Sequence, residues 1–378
     1  MLYGEYPAYI WQRPDWPQFQ QDMVRLTKHL ARTRHIQGKL LGRMAALGFE
    51  MRGQATLRML TEDVLKTNEI EGEMLVPDQV RSSIGNRLGL EVGGLPAPDR
   101  NVDGAVELAL DATRNYATPL TEERLLSWHA ALFPTGRSGM RRIRVGQWRD
   151  NANGPMEVVS GPIGRQRIHY TAPPAERLGD EISRFLEWFE DTQSMEPVLT
   201  AGIAHFWFVT IHPFEDGNGR IARAIADMAL ARSEESPERF YSMSAQIRLE
   251  RNAYYEILER TQKSGLDITD WQVWFLECLA RAIENAQHTL AAVLTKARFW
   301  EAHARESLNQ RQVKILNRLL DGFEGKLTSS KWAAVNLCSQ DTANRDIRDL
   351  IDRDILVRGP AGGRSTSYEL AAENAANY

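Results

Sequence analysis

A residue that precedes a proline is pushed out of the helical region, so no helix can run through His212 into Pro213. The apolar run over 198–212 must stop there, and helical spacing resumes over 220–232. Between the two lie Asp216, Gly217, Asn218 and Gly219, residue types that favour turns. A helix, a short loop and a second helix are what this stretch can form. Helical spacing also covers 23–47, 55–70, 78–88, 101–116, 121–132, 178–189, 250–262 and 270–308, with Gly72 a good C-terminal stop for the second of these. A mainly α fold follows. Only 140–174 departs from it: Val158, Val159, Ile168 and Tyr170 sit among glycines and prolines, and a hairpin with its turn at 160–164 is expected there.

The first 20 residues carry Pro7, Pro14 and Pro17 among tyrosines and tryptophans. Such a segment cannot be helical, yet its aromatic rings favour burial, so an arm wrapped over its own domain is expected. Near the other end, helical runs over 313–323, 329–335 and 341–353 precede short strands at 355–358 and 367–370 that flank the string GPAGGRST. Three helices and a glycine-rich wing read as a winged helix-turn-helix. Glycines and prolines between 85 and 98 mark an earlier boundary. The expected domains are 1–98, 99–285, a connecting helix over 286–308, and 309–378.

A net charge of −4 over 378 residues argues against a protein that mainly coats nucleic acid or a membrane surface. Cys278 and Cys338 form neither a disulfide pattern nor a zinc pattern. The N-terminus lacks the basic and apolar regions of a signal peptide, and no apolar run has the length of a membrane span. A soluble cytoplasmic protein is the expectation.

The string HPFEDGNGRIAR, His212 to Arg223, gathers complementary groups within twelve residues. An imidazole stands at a helix end, where it can reach a substrate. Asp216 is a hard oxygen ligand suited to Mg²⁺. Gly217, Asn218 and Gly219 can turn main-chain N–H groups toward an anion, and the following helix points its positive end at the same place. Arg220 and Arg223, three apart, can project to one side of its first turn. These are the parts of a site for phosphate chemistry.

The string resembles the signature of the Fic family, His-x-Phe-x-(Asp/Glu)-Gly-Asn-Gly-Arg-x-x-Arg, at every fixed position. The resemblance implies an all-helical Fic core, running here over about 100–285, with a helical N-terminal domain before it. His212 would be the general base for an incoming hydroxyl, and Phe214 would anchor the loop. Asp216 would hold Mg²⁺ between the α- and β-phosphates of ATP. Gly217, Asn218, Gly219 and Arg220 would form the anion hole, with Ile221 and Ala222 in the same nucleotide-binding turn, and Arg223 would bind the γ-phosphate. Doc-type relatives that phosphorylate carry Lys where Gly219 stands, so Gly219 favours AMP transfer.

The string TNEIEG, Thr67 to Gly72, is similar to the family's inhibitory motif, in which a glutamate pairs with the second arginine of the active-site string. Glu71, on one helix face with Thr67, would then block the γ-phosphate. Glu71 could instead orient water for AMP removal, or be a solvated helix-end residue. The hairpin resembles the family's flap, which adds a target segment as an extra strand. His169 and Tyr170 are the candidate clamps, with a plain surface hairpin the alternative. Tyr254 and Tyr255 could line an adenine pocket or belong to the core, and His205 is expected to be a core residue.

The expected function is ATP-dependent protein adenylyltransferase, with a Ser, Thr or Tyr hydroxyl of a target protein as acceptor. The other reading is a winged-helix regulator whose Fic core senses nucleotide. Residues 306–378 carry ten Lys and Arg against ten Asp and Glu, a poor footprint for DNA, so a homodimer or protein-contact role is expected for that region.

Overall fold

The computed structural model describes residues 8–371, apart from 91–93, 153, 163–164, 192–194, 305, 321–322, 324 and 360–365. The chain divides into two compact units, Met1–Ala286 and Gln287–Tyr378.

The first unit is built around α7 (Pro197–Ile211) and α8 (Asn218–Glu234), which pack against each other. Every side chain of α7 from Val198 to Ile211 is buried, as expected of a helix that is apolar all round. Glu196 starts it, accepting hydrogen bonds from Val198 N (2.8 Å) and Leu199 N (3.2 Å), and Pro197 holds the first helical position. Around this pair stand α1 (Met23–Ala45), α2 (Phe49–Ile70), α3 (Pro77–Leu88), α4 (Arg100–Arg114), α5 (Glu122–Leu132), α6 (Leu178–Glu190) and α10 (Arg251–Gln262). The helix α11 (Thr269–Ala302) crosses the boundary between the units and ends earlier than its apolar spacing suggests. The next helix begins beyond Asn309, whose side chain accepts from Arg311 N (3.0 Å) and Gln312 N (3.1 Å). The short α9 (Met243–Leu249), capped by Ser242, was not expected from the sequence.

Two strand pairs serve this unit. One joins β1 (Arg137–Ser138) to β2 (Arg141–Arg142), and the other joins β3 (Glu157–Ser160) to β4 (Arg167–Thr171) in antiparallel register with a shift between Val158 and Val159. The second is the expected hairpin, although residues 163–164 of its turn lie outside the described residues. The N-terminal arm does pack on its own unit: Trp16 donates to Glu181 Oε2 (2.8 Å) and meets Trp207 edge-on. The arm is not wholly free of helix, since Ile10–Gln12 makes one 3₁₀ turn in the stretch clear of proline.

In the second unit α12 (Gln310–Leu320), α13 (Ser329–Asn336) and α14 (Gln340–Asp352) precede an antiparallel pair, β5 (Leu356–Arg358) and β6 (Tyr368–Leu370). Its core includes Phe299, Ile315, Leu316, Trp332, Ile347 and Leu350. The expected wing tip, 360–365, lies outside the described residues. Among the described residues no helix is long and apolar enough to cross a membrane.

Candidate active site

His212 caps the C-terminus of α7 in the left-handed conformation, φ 53° and ψ 57°, sparsely populated for a residue with a side chain. Several buried groups hold it there. Phe214 is fully buried and stacks on His129 with ring centroids 4.0 Å apart. The Asn218 side chain closes the loop on itself, accepting from Phe214 N (2.9 Å) and donating to Phe214 O (2.8 Å). Buried His129 accepts from Gly146 N at Nδ1 (3.0 Å), so its proton sits on Nε2 and points to Asp216 O (3.2 Å). Arg149 donates from Nε to His212 O (2.7 Å) and from its main-chain N to Pro213 O (2.9 Å).

The His212 ring is half-buried. Its Nδ1 lies 3.1 Å from Val209 O, an atom that can only accept, so Nδ1 carries the proton and Nε2 keeps its lone pair. Burial pushes its pKa down to about 4, so the ring is neutral near pH 7.

Asp216 accepts from Gly217 N at Oδ1 (2.6 Å) and from Ser138 Oγ at Oδ2. Among the described residues no group of three or more His, Cys, Asp or Glu side chains gathers as a metal cage. One partly exposed carboxylate at a glycine-rich turn fits magnesium all the same, because that ion commonly takes one or two protein oxygens and fills its shell with water and phosphate.

Both motif arginines are buried, and both are engaged by the end of α2 and the residues after it. Arg223 donates to Thr67 Oγ1 (2.7 Å), Thr67 O (3.0 Å) and Glu71 Oε1 (2.7 Å). Arg220 donates to Glu73 Oε2 (2.6 Å) and Asn68 Oδ1 (3.2 Å) and lies over the Phe133 ring at 4.9 Å. A Cβ on Gly219 would overlap the Glu71 carboxylate, so the bare glycine lets Glu71 reach Arg223. A cleft of about 310 Å³ opens beside Arg220, lined in part by Asn68, Glu73, Phe133 and Arg137.

The structure thus brings Thr67, Glu71, His212, Asp216, Gly217, Gly219, Arg220 and Arg223 together, and it redistributes other expected roles. Asn218 uses its side chain on the loop. Ile221 and Ala222 are fully buried, and Ile221 N donates to Gly217 O (3.0 Å), so they shape the turn from the core side. Tyr255 is 36% exposed with the Arg251 guanidinium 5.1 Å over its ring. Burial and then the Glu71 charge raise its pKa. Tyr254 turns inward to His205 Nε2 (2.9 Å), and both are buried.

The two flap candidates part company. His169 bridges Ser160 Oγ (2.6 Å) and Glu259 Oε2 (2.7 Å). Tyr170, expected as a clamp, is 1% exposed and donates to Thr210 O (2.7 Å), so it anchors the hairpin to α7. The register shift skips His169, since Val158 pairs with Tyr170 and Val159 with Ile168, and the two side chains leave the strand for different partners. Sequence reasoning missed Arg149, His129, Ser138 and Glu73. Only Glu73 carried a local signal, two residues beyond Glu71.

Residues 119–230 match the family model described as "Fic/DOC family", and residues 9–90 match a "Domain of unknown function (DUF4172)". Protein adenylyltransferase fic-1 of Caenorhabditis elegans is 34% identical over 190 residues, which cover 48% of this chain and 35% of that protein. A uridine 5′-monophosphate transferase of Xanthomonas campestris is 27% identical over 154 residues, covering 36% and 26%. The chain therefore spans about a third or less of the length of these relatives. A Fic family protein from Desulfovibrio desulfuricans G20 superposes with a TM-score of 0.54 at 20% identity, over 93% of this chain and 97% of that one, and shares the fold. Residues 119–230, which match the Fic/DOC family model, hold His212, Asp216, Arg220 and Arg223 of the site just described, while Thr67, Glu71 and Glu73 lie outside that match.

Proposed function

We propose that this protein is an adenylyltransferase that moves AMP from ATP to a hydroxyl group of a target protein, and that Glu71 restrains it. The observation that carries this is the His212 hydrogen bond to Val209 O, which leaves Nε2 unprotonated on the loop that leads into α8. A site that only sensed nucleotide would need no such lone pair, which disfavours the regulator reading. In the proposed reaction the acceptor hydroxyl gives its proton to His212 Nε2, and its oxygen attacks the α-phosphorus. The bond to the pyrophosphate oxygen breaks in line with that attack. Main-chain N–H groups at Gly217 to Gly219 and the freed Arg220 and Arg223 would hold the phosphates. Asp216 would hold a magnesium ion, which when bound neutralises phosphate charge. The β3–β4 hairpin is suited to present the target segment by strand addition, and Tyr255 to flank the base.

Glu71 on Arg223 competes with the γ-phosphate for the same guanidinium. A hydrogen bond to a charged group contributes roughly 1.5–3 kcal/mol, so releasing Arg223 should raise productive labelling roughly 10–100-fold. Glu71→Gly incubated with α-³²P-ATP should label itself or a target protein, with a covalent AMP in the mass spectrum, and adding His212→Ala should abolish the signal. No gain in Glu71→Gly, or labelling that survives His212→Ala, would refute the proposal. Labelling from α-³²P-UTP in preference to ATP would move the donor assignment to UMP, the group named for the Xanthomonas relative.

A further inference from the structure

Arg149 belongs to neither recognised string, yet it is 4% exposed, and among the described residues its side chain hydrogen-bonds only to main-chain carbonyls. Nε donates to His212 O (2.7 Å), and Nη2 donates to Pro173 O (2.6 Å) with Ile211 O at 3.5 Å. The last carbonyls of a helix have no partner within it and carry its negative end. Arg149 caps α7 from outside, at the residue whose backbone is left-handed. Its other arm grips Pro173, two residues beyond the end of β4, so one planar fork joins the root of the hairpin to the histidine. Nη1 is buried with no partner among the described residues, which marks a group held in place at a cost in desolvation. A lysine ammonium lacks the rigid fork and cannot span both carbonyls in the same way.

We propose that Arg149 is the positioning residue of the general base: it fixes His212 in its left-handed pose and couples that pose to the hairpin through Pro173. The proposal rests on the adenylyltransferase reading for its kinetic part and on geometry alone for the rest. The test uses the full-length chain with Glu71→Gly as the active background. A misplacement of about 1 Å costs about 100-fold in rate, so Arg149→Lys should lower kcat about 100-fold while KM for ATP stays within about twofold. In parallel, ¹³C-labelled histidine is followed by NMR in Arg149→Lys and in Arg149→Ala. The His212 resonance should move, while those of His129 and His205, buried in the same unit, stay in place. If Arg149→Lys does not fold, Arg149→Ala with and without millimolar guanidinium decides, since the free cation should restore both the His212 resonance and the rate. An unmoved His212 resonance, a common shift of all three histidines, or an unchanged kcat would overturn the proposal. Failure of Glu71→Gly itself to label would sink the proposed reaction, and the NMR comparison would still judge the positioning role.

Discussion

Two carboxylates two residues apart each hold one of the two arginines expected to bind triphosphate: Glu71 on Arg223 and Glu73 on Arg220. Replacing Glu71 frees only one of them. Glu73 is the more exposed, 41% against 26%, so its contact sits at the weaker end of charge-assisted hydrogen bonds. It still occupies the guanidinium that faces the cleft lined by Asn68 and Phe133. Glu71→Gly/Glu73→Gln should therefore bind ATP about tenfold more tightly than Glu71→Gly alone, a difference of about 1.4 kcal/mol. Calorimetric titration of both variants with Mg·ATP measures it. Equal or weaker binding in the double variant would mean that Glu73 orients Arg220 for the nucleotide instead of competing with it.

At the scale of elements, the site depends on helices that meet at backbone distance. Gly104 on α4 lies so close to α5 that an added Cβ would overlap Ala131 O, and main chain cannot step aside as a flexible side chain can. Overpacking of this kind costs about 1–3 kcal/mol, so Gly104→Ala should lower the urea midpoint by that free energy with little change in slope. An unchanged midpoint would mean that α5 shifts freely. Much of this architecture was legible because it is local. Pro213 ends α7, and the loop string is contiguous, so His212, Asp216 and the two arginines could be assigned by spacing alone. Thr67 and Glu71 were legible only through the resemblance of TNEIEG to the inhibitory motif, because a glutamate before a glycine at a helix end is commonplace by itself. Arg149 and Ser138 were not, because their partners lie 63 and 78 residues away and nothing near them in the chain marks a partner. His129 sits among the apolar residues of α5 and looks like any core histidine. Tyr170 was misjudged because the shift between Val158 and Val159 and the packing on α7 decide which face it takes. The seven residues of α9 are too few for apolar periodicity to declare a helix.

At the scale of the whole molecule, the first unit folds around three histidines that burial keeps neutral: His129 and His212 are pushed down to about 4, and His205 to about 3. In the unfolded chain each returns to about 6.5, so between about pH 6.5 and 4 the unfolded state binds up to three more protons. Stability from these groups is complete above about pH 6.5 and is lost as the pH falls through that window. Asp227 acts with the opposite sign. Burial and the neighbouring Asp63 carboxylate raise it to about 7, so below that pH the folded state holds a proton that the unfolded chain releases until about 3.8. One gain offsets one of the three losses, leaving two protons and a slope of up to about 2.7 kcal/mol per pH unit. Removing the offset should steepen it, so Asp227→Asn should lose stability faster on acidification than the parent, by about 1.4 kcal/mol per pH unit. Urea unfolding of both proteins at pH 7, 6 and 5 reads this directly, and comparing slopes cancels whatever the substitution costs at pH 7 through the Arg239 contact (2.7 Å). Parallel lines for the two proteins would mean that Asp227 stays ionised against Arg239 throughout, and the acid sensitivity would then belong to the histidines alone.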